Sequence, residues 1–336
     1  MHIFVLRIAG SRVIIHAEEE IENILRIFML DEYVDKSMFC YDFENGEKNA
    51  EHIFLLRKSL IVSKVEEESK KIFDNGFVIY ISNKQDDPKG IIIERTKRSL
   101  CKELSRFIVI SENLNSQVIF FRSVLFKLFI RYYAKEKFYP LHCSAIKKKN
   151  SGYIFLADSL GGKSTLYFTF AAYGSPKKYA LLADDTVMCK CTSDSAVVHA
   201  MPLKPSLRRG SIEYLGYMKP FQHDFDTEKY KIEDQIYVNP NKISDMKVDL
   251  NGFIKYGFFV QYADSFCIEK ITDHALVKKR LAIIICGYKA TSVDDNMVDF
   301  LNSIVKKVMF YQLSVPKNLE DFFSMFESWV EGEGGK

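Results

Sequence analysis

The segment Tyr153-Ile-Phe-Leu-Ala157-Asp158-Ser159-Leu160-Gly161-Gly162-Lys163-Ser164-Thr165 constrains this chain more than any other. Apolar residues of strand length feed a loop of small residues, and the loop closes in Gly-Lys-Ser where a helical pattern opens over Ser164 to Tyr173. Strand, small loop and helix in that order form an anion cradle, because loop N–H groups and a helix N-terminus both carry partial positive charge. In such a loop Lys163 reaches the β- and γ-phosphates and the Ser164 hydroxyl can ligate Mg²⁺. Ala157 stands where the strict G-x-x-x-x-G-K-[ST] pattern has its first Gly. If that position needs a positive φ, Ala costs about 1 kcal/mol.

Two further segments gather around this one. In Ala180-Leu-Leu-Ala183-Asp184-Asp185-Thr186-Val187 the acids lie about twenty residues beyond the lysine. It reads as a buried strand, Tyr179 to Ala183, ending in acids at the C-terminal edge of a sheet. A carboxylate there can bind Mg²⁺ or take a proton from an attacking hydroxyl. Leu141-His142-Cys143-Ser144-Ala145 lies on the strand just before the loop strand. Leu141 to Lys147 and Gly152 to Ala157 flank Lys148-Lys149-Asn150-Ser151 and are expected to pair as a hairpin or as neighbouring strands.

The rest of the 336 residues predicts about two domains. Residues 1 to 115 carry strand-length apolar runs at Ile3 to Ile8, Val13 to His16, Ile53 to Val62, Phe77 to Ile81 and Ile91 to Ile93, with a helix expected between Glu18 and Met29. This is a β-rich N-terminal domain, for which substrate recognition is the role left. Ser116 to Lys137 repeats apolar residues every three or four positions, as a helical face requires, and opens the second domain, residues 116 to 336. Further strands are expected at Phe253 to Gln261 and Ser265 to Ile271, and helices at His274 to Cys286, Asn296 to Lys307 and Leu319 to Val330. The fold class is α/β (α+β), with a mixed sheet.

Composition narrows the partners. Lys and Arg number 47 against 44 Asp and Glu, so the net charge of +3 falls short of the basic surface that nucleic-acid binding requires. The longest apolar tract, Val118 to Tyr133, is broken by Arg122, Lys127 and Arg131, so no membrane span is expected. The seven cysteines are scattered and lack a CxxC pair, which predicts reduced thiols in the cytoplasm. Cys189 and Cys191 read as same-face strand residues, and the paired lysines, such as 278-279, as solvated faces.

Taken together, a His-bearing strand, Asp-Ser-x-x-Gly-Lys-Ser and Leu-x-Ala-Asp-Asp-x-Val resemble the bacterial HPr kinase/phosphorylase family, which has a phosphoenolpyruvate carboxykinase-type P-loop fold. The resemblance is specific over about residues 139 to 210. Relatives with divergent flanks phosphorylate peptide precursors, lasso peptides among them. The resemblance implies that Asp184 is the proton-transferring acid and that His142 orients it. It implies that Asp158, Ser159, Leu160, Gly161, Gly162, Lys163, Ser164 and Thr165 hold the phosphates of ATP, with Ser164 and Asp185 on Mg²⁺. Lys204 and Arg208, in Met201 to Arg209, match a phosphate-contacting strand of the divergent relatives.

Two departures bear on the substrate. The family's acidic residue with Arg-Gly-x-Gly is missing, with Arg209-Gly210-Ser211-Ile212-Glu213 at best a remnant, and the N-terminal region differs from that of HPr kinase, which argues against HPr as the acceptor. The expected activity is an ATP- and Mg²⁺-dependent kinase acting on a serine of a peptide or small protein. Alternatives are a catalytically impaired nucleotide-binding accessory protein, a small-molecule hydroxyl kinase, and pyrophosphate-linked phosphorolysis. A homo-oligomer is compatible with the sequence.

Overall fold

A computed structural model describes residues 2–8, 11–17, 51–57, 72–74, 77–81, 90–98, 103–111, 114–158, 161–175, 178–208, 211, 215–216, 235–238, 240, 246–287 and 295–333. The fold is mixed α/β and divides into two units: Met1–Tyr132 with His223–Asp234, and Tyr133–Gln222 with Gln235–Lys336.

The first unit holds a seven-stranded sheet in the order β1-β2-β3-β7-β6-β5-β4. Its strands are β1 (His2–Ile8), β2 (Ser11–Ala17), β3 (Glu51–Arg57), β4 (Ile72–Asp74), β5 (Phe77–Ile81), β6 (Gly90–Arg98) and β7 (Glu103–Ser111). β2, β3 and β7 run parallel to one another, and the remaining neighbours are antiparallel. The expected helix between Glu18 and Met29 lies outside the described residues. Helix α1 (Leu114–Lys135) follows, with Val124, Leu125, Leu128, Phe129 and Tyr132 buried at three- and four-residue spacing.

The second unit is built on a sheet ordered β11-β10-β8-β9-β14-β16-β15. Its strands are β8 (Tyr139–Lys148), β9 (Ser151–Leu156), β10 (Tyr179–Cys191), β11 (Ala196–Ala200), β14 (Asn251–Tyr262), β15 (Cys267–Lys270) and β16 (Met309–Val315), while β12 (Ser206–Arg208) and β13 (Gln235–Tyr237) form a small separate pair. β8 and β9 are the expected hairpin: Lys148 pairs with Ser151 around a two-residue turn in which Lys149 takes φ 54°. β14 lies parallel to both β9 and β16. The start of β14 also pairs with β11, so the sheet curls upon itself.

Helices cover both faces. α2 (Lys163–Tyr173) and α5 (Leu319–Glu333) sit over an aromatic layer in which Phe155, Phe170, Phe258 and Phe326 pack with ring centroids 5.4 to 5.7 Å apart. On the opposite face α3 (His274–Gly287) and α4 (Asp295–Lys307) bury Val277, Leu281, Ile285, Phe300 and Ile304 against Leu141, Cys143, Leu156, Phe259 and Phe310. α2 is apolar nearly all round because it is enclosed between the sheet and α5. Among the described residues no helix is long and apolar enough to cross a membrane.

The structure corrects one element. The strand expected to stop at Ala183 runs on to Cys191, so Asp184 and Asp185 lie within β10. β10 continues because β8 pairs it on one side along most of its length and β11 pairs its last five residues on the other.

Candidate functional site

Register places the two acids beside the loop although β10 runs on past them. Asp184 is opposite Ser144, and Ser144 is opposite Phe155; Asp185 is opposite Cys143, and Cys143 is opposite Leu156. The acids are therefore level with the last two residues of β9, where the chain turns into the loop. The register slips between Leu181 and Ala183, just before them, and Asp185 adopts φ 151°, a strained backbone for an L residue.

The loop leaves β9 at Ala157 and enters α2 at Gly162, which has φ 83°. Ala157 is not among the residues with positive φ, so the methyl costs no backbone strain there. Gly161 provides the room instead, since a Cβ on it would stand 2.6 Å from the Ala157 Cβ. Gly162 is fixed by its φ and by Tyr262, because a Cβ there would come 2.3 Å from the Tyr262 hydroxyl. The Gly161 N–H donates to the Asp158 carbonyl at 3.0 Å and closes the turn. Ser159 and Leu160, expected to hold phosphate, lie outside the described residues.

Lys163 is 7 % exposed, and its Nζ donates to the carbonyls of Ala157 and Asp158, both at 2.8 Å. The ammonium thus spans its own loop. Burial lowers its pKa, while the carboxylates of Asp185, Asp184 and Asp158 act in the opposite direction. Thr165 is buried in the first turn of α2.

The Asp184 carboxyl is buried, and that burial pushes its pKa up to about 7. The Ser164 hydroxyl, the Ser206 N–H and the Lys163 charge favour the ionised form, whereas Asp185 opposes it. Ser206 N donates to Asp184 Oδ2 at 3.2 Å. Oδ1 is buried and has no hydrogen-bond partner among the described residues. Such an oxygen beside a serine hydroxyl is a donor set suited to a hard cation such as Mg²⁺. Asp185 Oδ1 stands 3.2 Å from His142 Nδ1.

The structure therefore brings together Asp158, Gly161, Gly162, Lys163, Ser164, Asp184, Asp185 and His142. Of the Met201 to Arg209 segment it brings the backbone at Ser206 to Asp184, with Lys204 half-buried and the Arg208 side chain exposed. Two contributors carry no motif signal in the sequence. Ser206 acts through its N–H, which has no side-chain signature. Tyr262 is one residue beyond the expected strand Phe253 to Gln261.

No family model matches this chain, and no curated protein matches it. Among solved structures, the Hpr(Ser) kinase/phosphatase from Coxiella burnetii matches at a TM-score of 0.33 and 9 % identity, over 58 % of this chain and 95 % of that one. At that TM-score the likeness carries no argument, and the reading of the site rests on its residues.

Proposed function

We propose that this chain is an ATP- and Mg²⁺-dependent kinase of HPr kinase-like type, which phosphorylates a serine hydroxyl of a peptide or small protein. One observation carries the reading: Asp184, with its carboxyl poised near neutrality and one oxygen unpartnered, lies beside Ser164 and Lys163 at the mouth of the loop. A general base works best with a pKa near the operating pH, and burial gives Asp184 that value.

In this reading the backbone N–H groups at the start of α2 hold the phosphate chain, and Lys163 exchanges its two loop carbonyls for phosphate oxygens. Ser164, with Asp185, would hold Mg²⁺, which when bound neutralises charge on the transferred group. Asp184 accepts the proton of the acceptor hydroxyl and aligns it for in-line attack. His142 holds Asp185 in place beside it. The β-rich first unit is assigned to recognition of the acceptor.

Mass spectrometry of a serine peptide incubated with the protein and Mg·ATP tests the proposal. Added phosphate on serine, lost in Asp184→Asn, supports it. Mg·ATP binding without transfer to any hydroxyl identifies a nucleotide-binding accessory protein instead, and transfer confined to small alcohols identifies a small-molecule kinase.

A further inference from the structure

Arg280, on α3, is held in a built setting. Its guanidinium carbon lies 4.2 Å from the centroid of the Phe259 ring, and Nη1 donates to Gln312 Oε1 at 2.9 Å. Gln312 is itself fixed, with Nε2 donating to the Phe259 carbonyl at 2.8 Å. The half-buried guanidinium is thus locked by β14 and β16 together, and stacking with a directional hydrogen bond leaves it little rotamer freedom. Of its five N–H donors, one is engaged among the described residues. The other donors are not enclosed, so they remain open to an anion.

Its position says which anion. Phe259 is in register with Leu156, the last residue of β9, and both belong to the cluster under α3. Asp158 follows Leu156 by two residues, inside the loop. Burial disfavours the charge on Arg280, and the Asp158 carboxylate favours it. Arg280 therefore lies on the β14–β16 side of β9, and Asp184 on the β8–β10 side.

We propose that Arg280 is a phosphate-binding cation of this site, held ready on Phe259 and Gln312. The proposal rests on the phosphate-loop reading above and adds the residue that receives the far side of the phosphate chain. The shared chemistry is a polyphosphate, from a nucleotide or from inorganic pyrophosphate. A fork of N–H donors on a rigid stem suits its paired oxygens.

Titration calorimetry of the full chain with Mg·ATP and with Mg·pyrophosphate tests it. Arg280→Gln should weaken both by about tenfold or more. Arg280→Met, which keeps the contact with Phe259, should do the same at an unchanged unfolding temperature, separating ligand binding from packing. If both Arg280 variants bind both ligands as the wild type does, the proposal fails. A loss with Mg·ATP alone assigns the guanidinium to base or ribose and overturns the proposal likewise. Wild-type protein that binds neither ligand overturns the phosphate-loop reading itself, an outcome distinct from these.

Discussion

His142 Nδ1 stands 3.2 Å from Asp185 Oδ1, so the histidine is paired with the second acid of β10, while Asp184 is held by the Ser206 N–H. The two neighbouring carboxylates thereby have separate partners. Asp184→Asn keeps the shape of the site and removes the proton acceptor. Phosphotransfer should fall by about two to four orders of magnitude with Mg·ATP affinity within a few-fold. His142→Ala acts through Asp185 and should cost about tenfold to a hundredfold. Single-turnover kinetics beside calorimetry measure both, and an unaffected Asp184→Asn rate would remove the acid from the mechanism.

The raised pKa of Asp184 has a signed effect on stability. The folded state binds this proton more tightly than the unfolded chain, whose aspartates titrate near ~4. Between about pH 4 and the folded value of about 7, stability falls as pH rises, and the loss is complete above that value. Asp184→Asn removes the penalty. Its melting temperature should match wild type near pH 4 and exceed it by several degrees at pH 8, for roughly 1–3 kcal/mol. Catalysis has the opposite slope, rising with pH as the carboxyl ionises.

Ala157 and Gly161 exchange volume across the loop, with the methyl on one and the space on the other. Gly161→Ala should collide with Ala157 and weaken Mg·ATP binding by about tenfold or more, as overpacking typically costs 1–3 kcal/mol. Adding Ala157→Gly should restore much of the loss, although the Asp158 carbonyl remains 3.0 Å from the new Cβ. A double-mutant cycle on Kd reads the coupling, and strictly additive effects would show that the two positions do not meet.

Lys163→Ala should abolish the thermal stabilisation that Mg·ATP gives the wild type and reduce transfer to background. Ser164→Ala should instead raise the Mg²⁺ concentration needed for half-maximal activity. A thermal-shift titration against nucleotide and metal separates the two. Retained nucleotide stabilisation in Lys163→Ala would overturn the assignment of the loop.

A chain shortened to begin at Ser116 keeps all but the first two residues of α1 and the whole second unit. It should bind Mg·ATP and lose most transfer to the peptide if the β-rich sheet recognises the acceptor. Full peptide phosphorylation by the shortened chain would place the acceptor site within residues 116–336.

The sequence by itself determined the loop, since an apolar strand, small residues and Gly-Lys-Ser at a helix start are contiguous and obey local rules. It determined most described strands and helices for the same reason, because hydrophobic period is a local property. It also marked Asp184, Asp185 and His142 by residue type. Tertiary structure alone decided that the acids are level with the end of β9, because that depends on the register of three strands and on β11 extending β10. It alone showed why Ala157 is tolerated, through a glycine four residues away. The short strands β11, β12 and β13 carry too few residues to show a period, and their places come from their partners. The Asp184 pKa is likewise a tertiary property, because desolvation depends on what β8, β10 and α2 exclude from the carboxyl. Tyr262 reaches the loop at Gly162 from roughly a hundred residues further along the chain. Local pattern cannot express that distance, and parallel pairing of β9 with β14 closes it.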